Sequence, residues 1–260
     1  MPRRSTASAS AAVAPEDLLP PQAIGRSAGE RAVRRLKPRK IRSETLPVVY
    51  DPRVSASLAG HLISGAFGSS VAKGTSFLKD KCGSQLFNRG VAIIDDPLRR
   101  RGLASRPFDG EGIASRSFTV IDDGVLTGWF LDLHSARQLG LAPNGYASRG
   151  LSSPPSPSAS NAYLAAGEQS AKELIKNIAR GFYVTELIGS GVNLLTGDYS
   201  RGASGFWIEN GELAYPVSEI TIAGNLNEMF RSLVPANDLE FRRTINAPTC
   251  LIEAMTIGGI

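Results

Sequence analysis

Two histidines, two cysteines and scattered carboxylates are the chain's supply of metal ligands and nucleophiles. His61 and His134 have no partner at the spacing of HExxH or of a zinc cluster, and Cys82 and Cys250 form no CxxC. Neither the nucleophile elbow GxSxG, nor the P-loop, nor GxGxxG occurs. Asp95, Asp96, Asp109 and Glu111 gather in DDPLRRRGLASRPFDGEG, where two carboxylates could divide acid–base work. Acids beside Pro and Gly also shape turns, and Asp122, Asp123 and Glu209 sit at hairpin corners for that reason. The remaining cluster is Asp198-Tyr199-Ser200-Arg201 within TGDYSRGASGFWIENGELAYPVSEITIAGN. It is either a working surface carried on strands or a polar closure of a turn. No complete catalytic constellation is present in the residues alone.

The elements that must position these residues follow from periodicity. A helix is expected from about Pro21 to Leu36, with Ala32, Val33 and Leu36 on one side and a solvated arginine face. LPVVYDP reads as a short buried strand. In SASLAGHLISGAFG, Leu58, Leu62, Ile63, Ala66 and Phe67 recur at helical spacing, with Ser55 or Ser57 as N-cap. Gly60 and Gly65 weaken that helix, which implies close packing against its backbone. VAIIDDP is an apolar run ending in a turn, and two hairpins turn at Asp123-Gly124 and Asn210-Gly211. HSARQLG and SAKELIKNIARGFY read as short helices, the second amphipathic through Leu174, Ile175, Ile178 and Phe182. The fold class is α+β, mostly antiparallel sheet with a few short packing helices. GLSSPPSPSASN (150–161) has the composition of a linker, but its prolines equally suit an extended strand.

Composition bounds the rest. At 260 residues and 42% hydrophobic content the chain can bury a substantial core. No run approaches the roughly 18 apolar residues of a membrane span, and the Ser/Ala-rich start lacks a signal-peptide core. Together with two isolated cysteines, this points to the cytoplasm. The net charge of +5 is local, because residues 1–42 carry +7 and the remainder −2. Nucleic acid is therefore an unfavoured partner of the body, with the basic stretch 26–42 the one feature in its support.

The strings FLKDKCGSQLF, IIDDP, GLASRPFDGEGIASR, SARQLG, the long TGDYSRGASGFWIENGELAYPVSEITIAGN and the closing MTIGGI resemble the TldD/PmbA family. The likeness is to its PmbA branch, also called TldE and once labelled a modulator of DNA gyrase. It covers about Leu19 to Ile260. It implies a leader at 1–18, disordered, and a C-terminal family domain at 19–260 without the family's N-terminal domain. The family implies a cytosolic two-subunit peptidase whose TldD-type subunit carries zinc on a helical HExxxH and a distant cysteine. Counting back from GTSF (Gly74 to Phe77), those slots fall on Ala59 and Ser64 for the histidines and Gly60 for the glutamate. His61 is off-register, and Cys250 falls where the active branch has an apolar residue. A zinc site needs about three protein ligands, so no metal or cofactor is expected in this chain and zinc only in the partner.

The resemblance thus implies a non-catalytic PmbA/TldE-like subunit that completes a TldD-type metallopeptidase acting on unfolded peptides. Its surface would present backbone for strand addition. Asp198, Tyr199, Arg201 and Trp207 are the candidates for that cleft, Arg201 gripping a carboxylate or carbonyls and Trp207 packing a side chain. An internal Asp198–Arg201 pair, with Trp207 in the core, is the alternative. By resemblance 150–161 is an ordered segment near the cleft. Two other functions stay open: a divergent active metallopeptidase, and a gyrase- or nucleic-acid-interacting module.

Overall fold

The structure, a computed structural model, describes residues 9–259. Its main sheet contains β1 (Glu44–Tyr50), β8 (Arg180–Ile188), β9 (Asp198–Glu209), β10 (Glu212–Asn225), β13 (Cys250–Gly258) and β11 (Val234–Pro235). The pairings run β1-β8-β9-β10-β13, and β13 pairs again with β1, so five strands close into a ring with β11 appended to β13. Only β1–β8 is parallel in this sheet. A second sheet orders β12 (Ile245–Asn246), β7 (Ala162–Leu164), β2 (Ile93–Asp95), β3 (Phe118–Asp122) and β4 (Val125–Leu126). A ribbon of β5 (Ala147–Ser148) and β6 (Ser156–Pro157) completes the strands. The helices are α1 (Pro21–Arg34), α2 (Pro52–Gly65), α3 (Gly68–Ala72), α4 (Leu133–Leu139), α5 (Ala171–Lys176) and α6 (Leu226–Arg231). The chain is α+β and mostly antiparallel, as the periodicity predicts.

Both hairpins form at the expected dipeptides. Asp123 and Gly124 have φ of 45° and 79°, Asn210 and Gly211 of 51° and 80°, the two left-handed residues that a type I′ turn demands. The helix around residue 60 begins earlier than expected. Asp51 caps it by accepting from the Arg53 N–H at 3.0 Å, Pro52 takes the first turn, and Ser55 instead donates to the Pro248 carbonyl at 2.6 Å. Close approach holds at Gly65, where a Cβ would meet Phe77 Cε1 at 2.8 Å. At Gly60 the nearest atom is Ile245 Cδ1 at 3.8 Å, an ordinary van der Waals contact, so the fit is looser there. α5 ends at Lys176, and Phe182 belongs to β8, fully buried beside β1. The sheet's demand for period-2 burial overrides the helical spacing of that segment.

α1 also departs from expectation. Val33 and Leu36 are exposed, while Arg35 is 8% exposed and donates to Glu186 Oε2 and Thr185 Oγ1, both at 2.7 Å. A buried guanidinium needs such partners, and their position 150 residues away leaves no local trace. Of the leader, residues 1–8 lie outside the described residues. The rest includes a 3-10 turn at Pro15–Asp17, held by Arg101 to Glu16 at 2.8 Å and Asp17 at 3.0 Å. Among the described residues no helix is long and apolar enough to cross a membrane.

The main core lies between the ring, α2 and the second sheet. Tyr50, Leu58, Leu62, Phe182, Ile222, Ile252 and Ile257 are each fully buried within it. α2 contacts β1 and β8 on one side and β7 and β12 on the other. Packing on two sides leaves it one half-buried stripe, Ser57, Gly60, His61 and Ser64, at the i, i+3, i+4, i+7 spacing of a single helix face.

Candidate functional site

The slots Ala59, Gly60 and Ser64 all lie on α2. Ala59 is 2% exposed in the core, whereas Gly60 and Ser64 lie on the half-buried stripe. A methyl, a hydrogen and a hydroxymethyl supply no imidazole or carboxylate, so these residues do not fit a zinc ion. Cys250 is fully buried opposite Tyr50, its thiol bonded to the Pro248 carbonyl at 3.3 Å and pushed well above the ordinary thiol range by burial. His134 is exposed on α4. Among the described residues no group of three or more His, Cys, Asp or Glu is placed to hold a metal ion.

The carboxylates of DDPLRRRGLASRPFDGEG are turn-shaping. Asp109 accepts backbone N–H bonds from Glu111, Ile113 and Ala147, each at 2.9 Å. Asp96 accepts from Leu98 at 3.0 Å and Glu111 from Leu133 at 2.7 Å. Asp95, fully buried, accepts the Ser160 N–H at 2.6 Å and also bonds its hydroxyl. Burial raises the Asp95 pKa and the Ser160 bonds oppose that rise. Through this contact Asp95 anchors the end of the proline-rich segment, and β6 pairs with β5 before it. Asn161 is tied down as well, by Ala104 and the Asp96 carbonyl at 2.9 Å. The segment is extended and anchored from Ser156 onward, with its tip at Leu151 wholly exposed.

The four cleft candidates on β9 divide between two faces. Successive side chains of a strand alternate, so Tyr199, Arg201, Ala203 and Trp207 share the core-facing side while Asp198 points away. Trp207 is 4% exposed, packed over Tyr215 with ring centroids at 6.5 Å, and Tyr199 is 1% exposed. Neither ring lies on an outer surface. Asp198 is exposed and accepts from Thr196 Oγ1 at 2.6 Å and Asn225 Nδ2 at 3.1 Å, bonds that hold its carboxyl below the usual range. It does not pair with Arg201.

Sequence reasoning overlooked His61 as a member of this cluster. Its ring meets Tyr199 edge-on, centroids 6.0 Å apart at 72°. Burial, then the Arg201 guanidinium, lowers its pKa to about 4, so it is neutral at pH 7. His61 Nε2 and Arg201 Nε are buried without a hydrogen-bond partner, and the Tyr199 hydroxyl has the Tyr50 hydroxyl as its polar neighbour without a well-formed bond between them. Tyr50 stands beside Tyr199 but directs its own hydroxyl to Met255 Sδ at 3.3 Å. The overlooked signal was the alignment of His61 with Gly60 and Ser64 on one helix face.

Strand addition has little open edge. The ring closes the central strands, and the outer edge of β10 before Thr221 carries Pro216, whose carbonyl already accepts the Arg39 N–H at 2.8 Å. A groove of about 670 Å³ runs between α1, the start of α2 and residues 240–247, and contains none of the β9 candidates.

The family model for the PmbA/TldA metallopeptidase C-terminal domain matches residues 43–259. The Metalloprotease PmbA of Escherichia coli O157:H7 is 42% identical over 244 residues, 94% of this chain and 52% of that protein. A solved Thermotoga maritima structure, described as a candidate modulator of a DNA gyrase, superposes with a TM-score of 0.86 at 35% identity, covering 94% of this chain and 56% of that one. TldE from Thermococcus kodakarensis shares the fold, with a TM-score of 0.82 at 24% identity over 92% of this chain and 55% of its own. The chain belongs to the PmbA/TldD family. It spans about half the length of the curated relatives it matches.

Proposed function

We propose that this chain is the C-terminal domain of a PmbA/TldE-like subunit that performs no peptide cleavage itself. It completes a TldD-type metallopeptidase that degrades unfolded peptides in the cytoplasm. The observation that carries the reading is the chemistry at Ala59, Gly60 and Ser64, where the metal-binding branch would need two imidazoles and a general base. Arg201 and Asp198 are the polar residues proposed to meet peptide or partner, Arg201 through its free fork and Asp198 from the exposed start of β9. A divergent active metallopeptidase is the runner-up, and it would need ligands from outside this helix. A gyrase- or DNA-interacting role would rest on the basic stretch at 26–42.

The test is metal analysis and peptide degradation with the purified chain, alone and with a TldD-type subunit. Expected are no zinc after dialysis against a weak chelator, no cleavage alone, and cleavage by the pair. One zinc per chain surviving dialysis would reject the non-catalytic reading. Strongly salt-dependent DNA binding would favour the gyrase-related alternative.

A further inference from the structure

Among the described residues six buried side-chain nitrogen or oxygen atoms lack a hydrogen-bond partner, and three of them belong to the cluster of His61, Tyr199 and Arg201. An unpaired buried polar atom costs about 1–3 kcal/mol, so such a concentration in one place points to a ligand. The three atoms come from two layers, His61 from α2 and the other two from the inward face of β9. Tyr199 is 1% exposed. His61 and Arg201 are half-buried and give the way in.

Charge narrows the ligand class. The titratable groups felt across this cluster are His61, Tyr50, Tyr199, Arg201 and, behind Tyr50, Cys250. Burial keeps the imidazole neutral and both phenols protonated. No carboxylate is among the groups that shift any of the three titrating members, so Arg201 is the formal charge of the site. Tyr O–H and Arg Nε–H are donors, and neutral His61 can donate from Nε2. Converging donors with one positive charge match an acceptor-only monoanion. A cation would meet the guanidinium, and a dianion would bury an uncompensated charge.

We infer that His61, Tyr199 and Arg201 form a binding site for a single carboxylate, its oxygens accepting from the guanidinium, the phenol and the imidazole. This inference does not depend on the proposed role in peptide degradation. The carboxylate can be a free small acid or the end of a peptide, and the experiment separates the two.

The experiment follows the imidazole and guanidinium resonances of the full chain, labelled with ¹⁵N, in separate titrations at matched ionic strength. The probes are sodium acetate, N-acetyl-alanine, N-acetyl-alanine amide and sodium chloride. Saturable shifts of His61 Nε2 and Arg201 Nε with acetate alone identify a small-acid site. Shifts with N-acetyl-alanine, but not its amide, identify a site for a peptide terminus. Tyr199→Phe removes one oxygen from a charge-assisted bond and should weaken binding roughly tenfold, with Arg201→Lys weakening it further. The inference is overturned if no carboxylate gives saturable shifts in the wild-type chain, or if the amide and chloride shift these nuclei as strongly.

Discussion

Asp198 and Arg201 lie three residues apart on β9 and do not touch. The carboxylate accepts from Thr196 and Asn225 on one face, while the guanidinium points inward toward His61 and Tyr199. Opposite charges close in sequence invite the idea of a brace, but a strand places odd separations on opposite sides. The pair should therefore be energetically independent. In a double-mutant cycle, Asp198→Asn and Arg201→Lys should add to within about 0.5 kcal/mol in urea unfolding. A coupling of a kilocalorie or more would restore the brace.

Arg201→Lys should separate function from stability. Among the described residues the side chain has no ion pair to lose, so the melting temperature should stay near that of the wild type. Peptide degradation by the assembled pair should fall roughly tenfold, the scale of a lost charge-assisted fork. A lowered melting temperature with full degradation activity would assign Arg201 to scaffolding.

His61 links stability to pH. Its folded pKa of about 4 lies below the ordinary value of 6.5, so between these values the unfolded chain binds more protons. This term leaves stability whole above pH 6.5 and removes it progressively as pH falls toward 4. His61→Gln should flatten that part of the curve, seen as a smaller drop in urea midpoint between pH 7 and pH 4.5 than in the wild type. Identical slopes for the two proteins would show that the imidazole is not held neutral.

Ser160→Ala should cost about 1.5–3 kcal/mol, because it removes a hydroxyl from a buried carboxylate that burial already penalises. Equilibrium unfolding measures this, and a change below half a kilocalorie would mean that the backbone bond alone anchors the segment.

Limited proteolysis should nick the proline-rich loop near Leu151 and spare 156–161, where β6 pairs with β5 and Asn161 is anchored. Mass mapping of the first fragments reads this directly. Early cuts between Ser156 and Asn161 would return the segment to the status of a plain linker.

The hairpins were legible because Asp-Gly and Asn-Gly state their own backbone angles. α2 was legible from its 3.6-residue period, but its start was misjudged, since the capping Asp51 sits in YDP, which reads as a strand exit. Other features depended on distant partners. Arg35 is buried because Glu186 and Thr185 receive it, and no helix-face rule contains that information. Phe182 obeys helical spacing with Ile178 and still lies in a strand, because β1 and β9 flank it. In the site, the types of Ala59, Gly60 and Ser64 could be read directly. The meeting of His61 with Tyr199 and Arg201 could not, because it joins a helix and a strand about 140 positions apart.

The ring of strands also imposes an order of events on biosynthesis. β13 seals the sheet by pairing Leu46 with Met255 and Val49 with Leu251, across roughly two hundred positions of chain. While the ribosome is still adding residues 226–250, β1 must wait with one edge unsatisfied. The nascent chain then exposes an apolar strand to neighbours and chaperones for as long as translation takes. Deleting Cys250–Gly258 would leave that edge permanently open, so β13 carries a disproportionate share of this protein's resistance to aggregation.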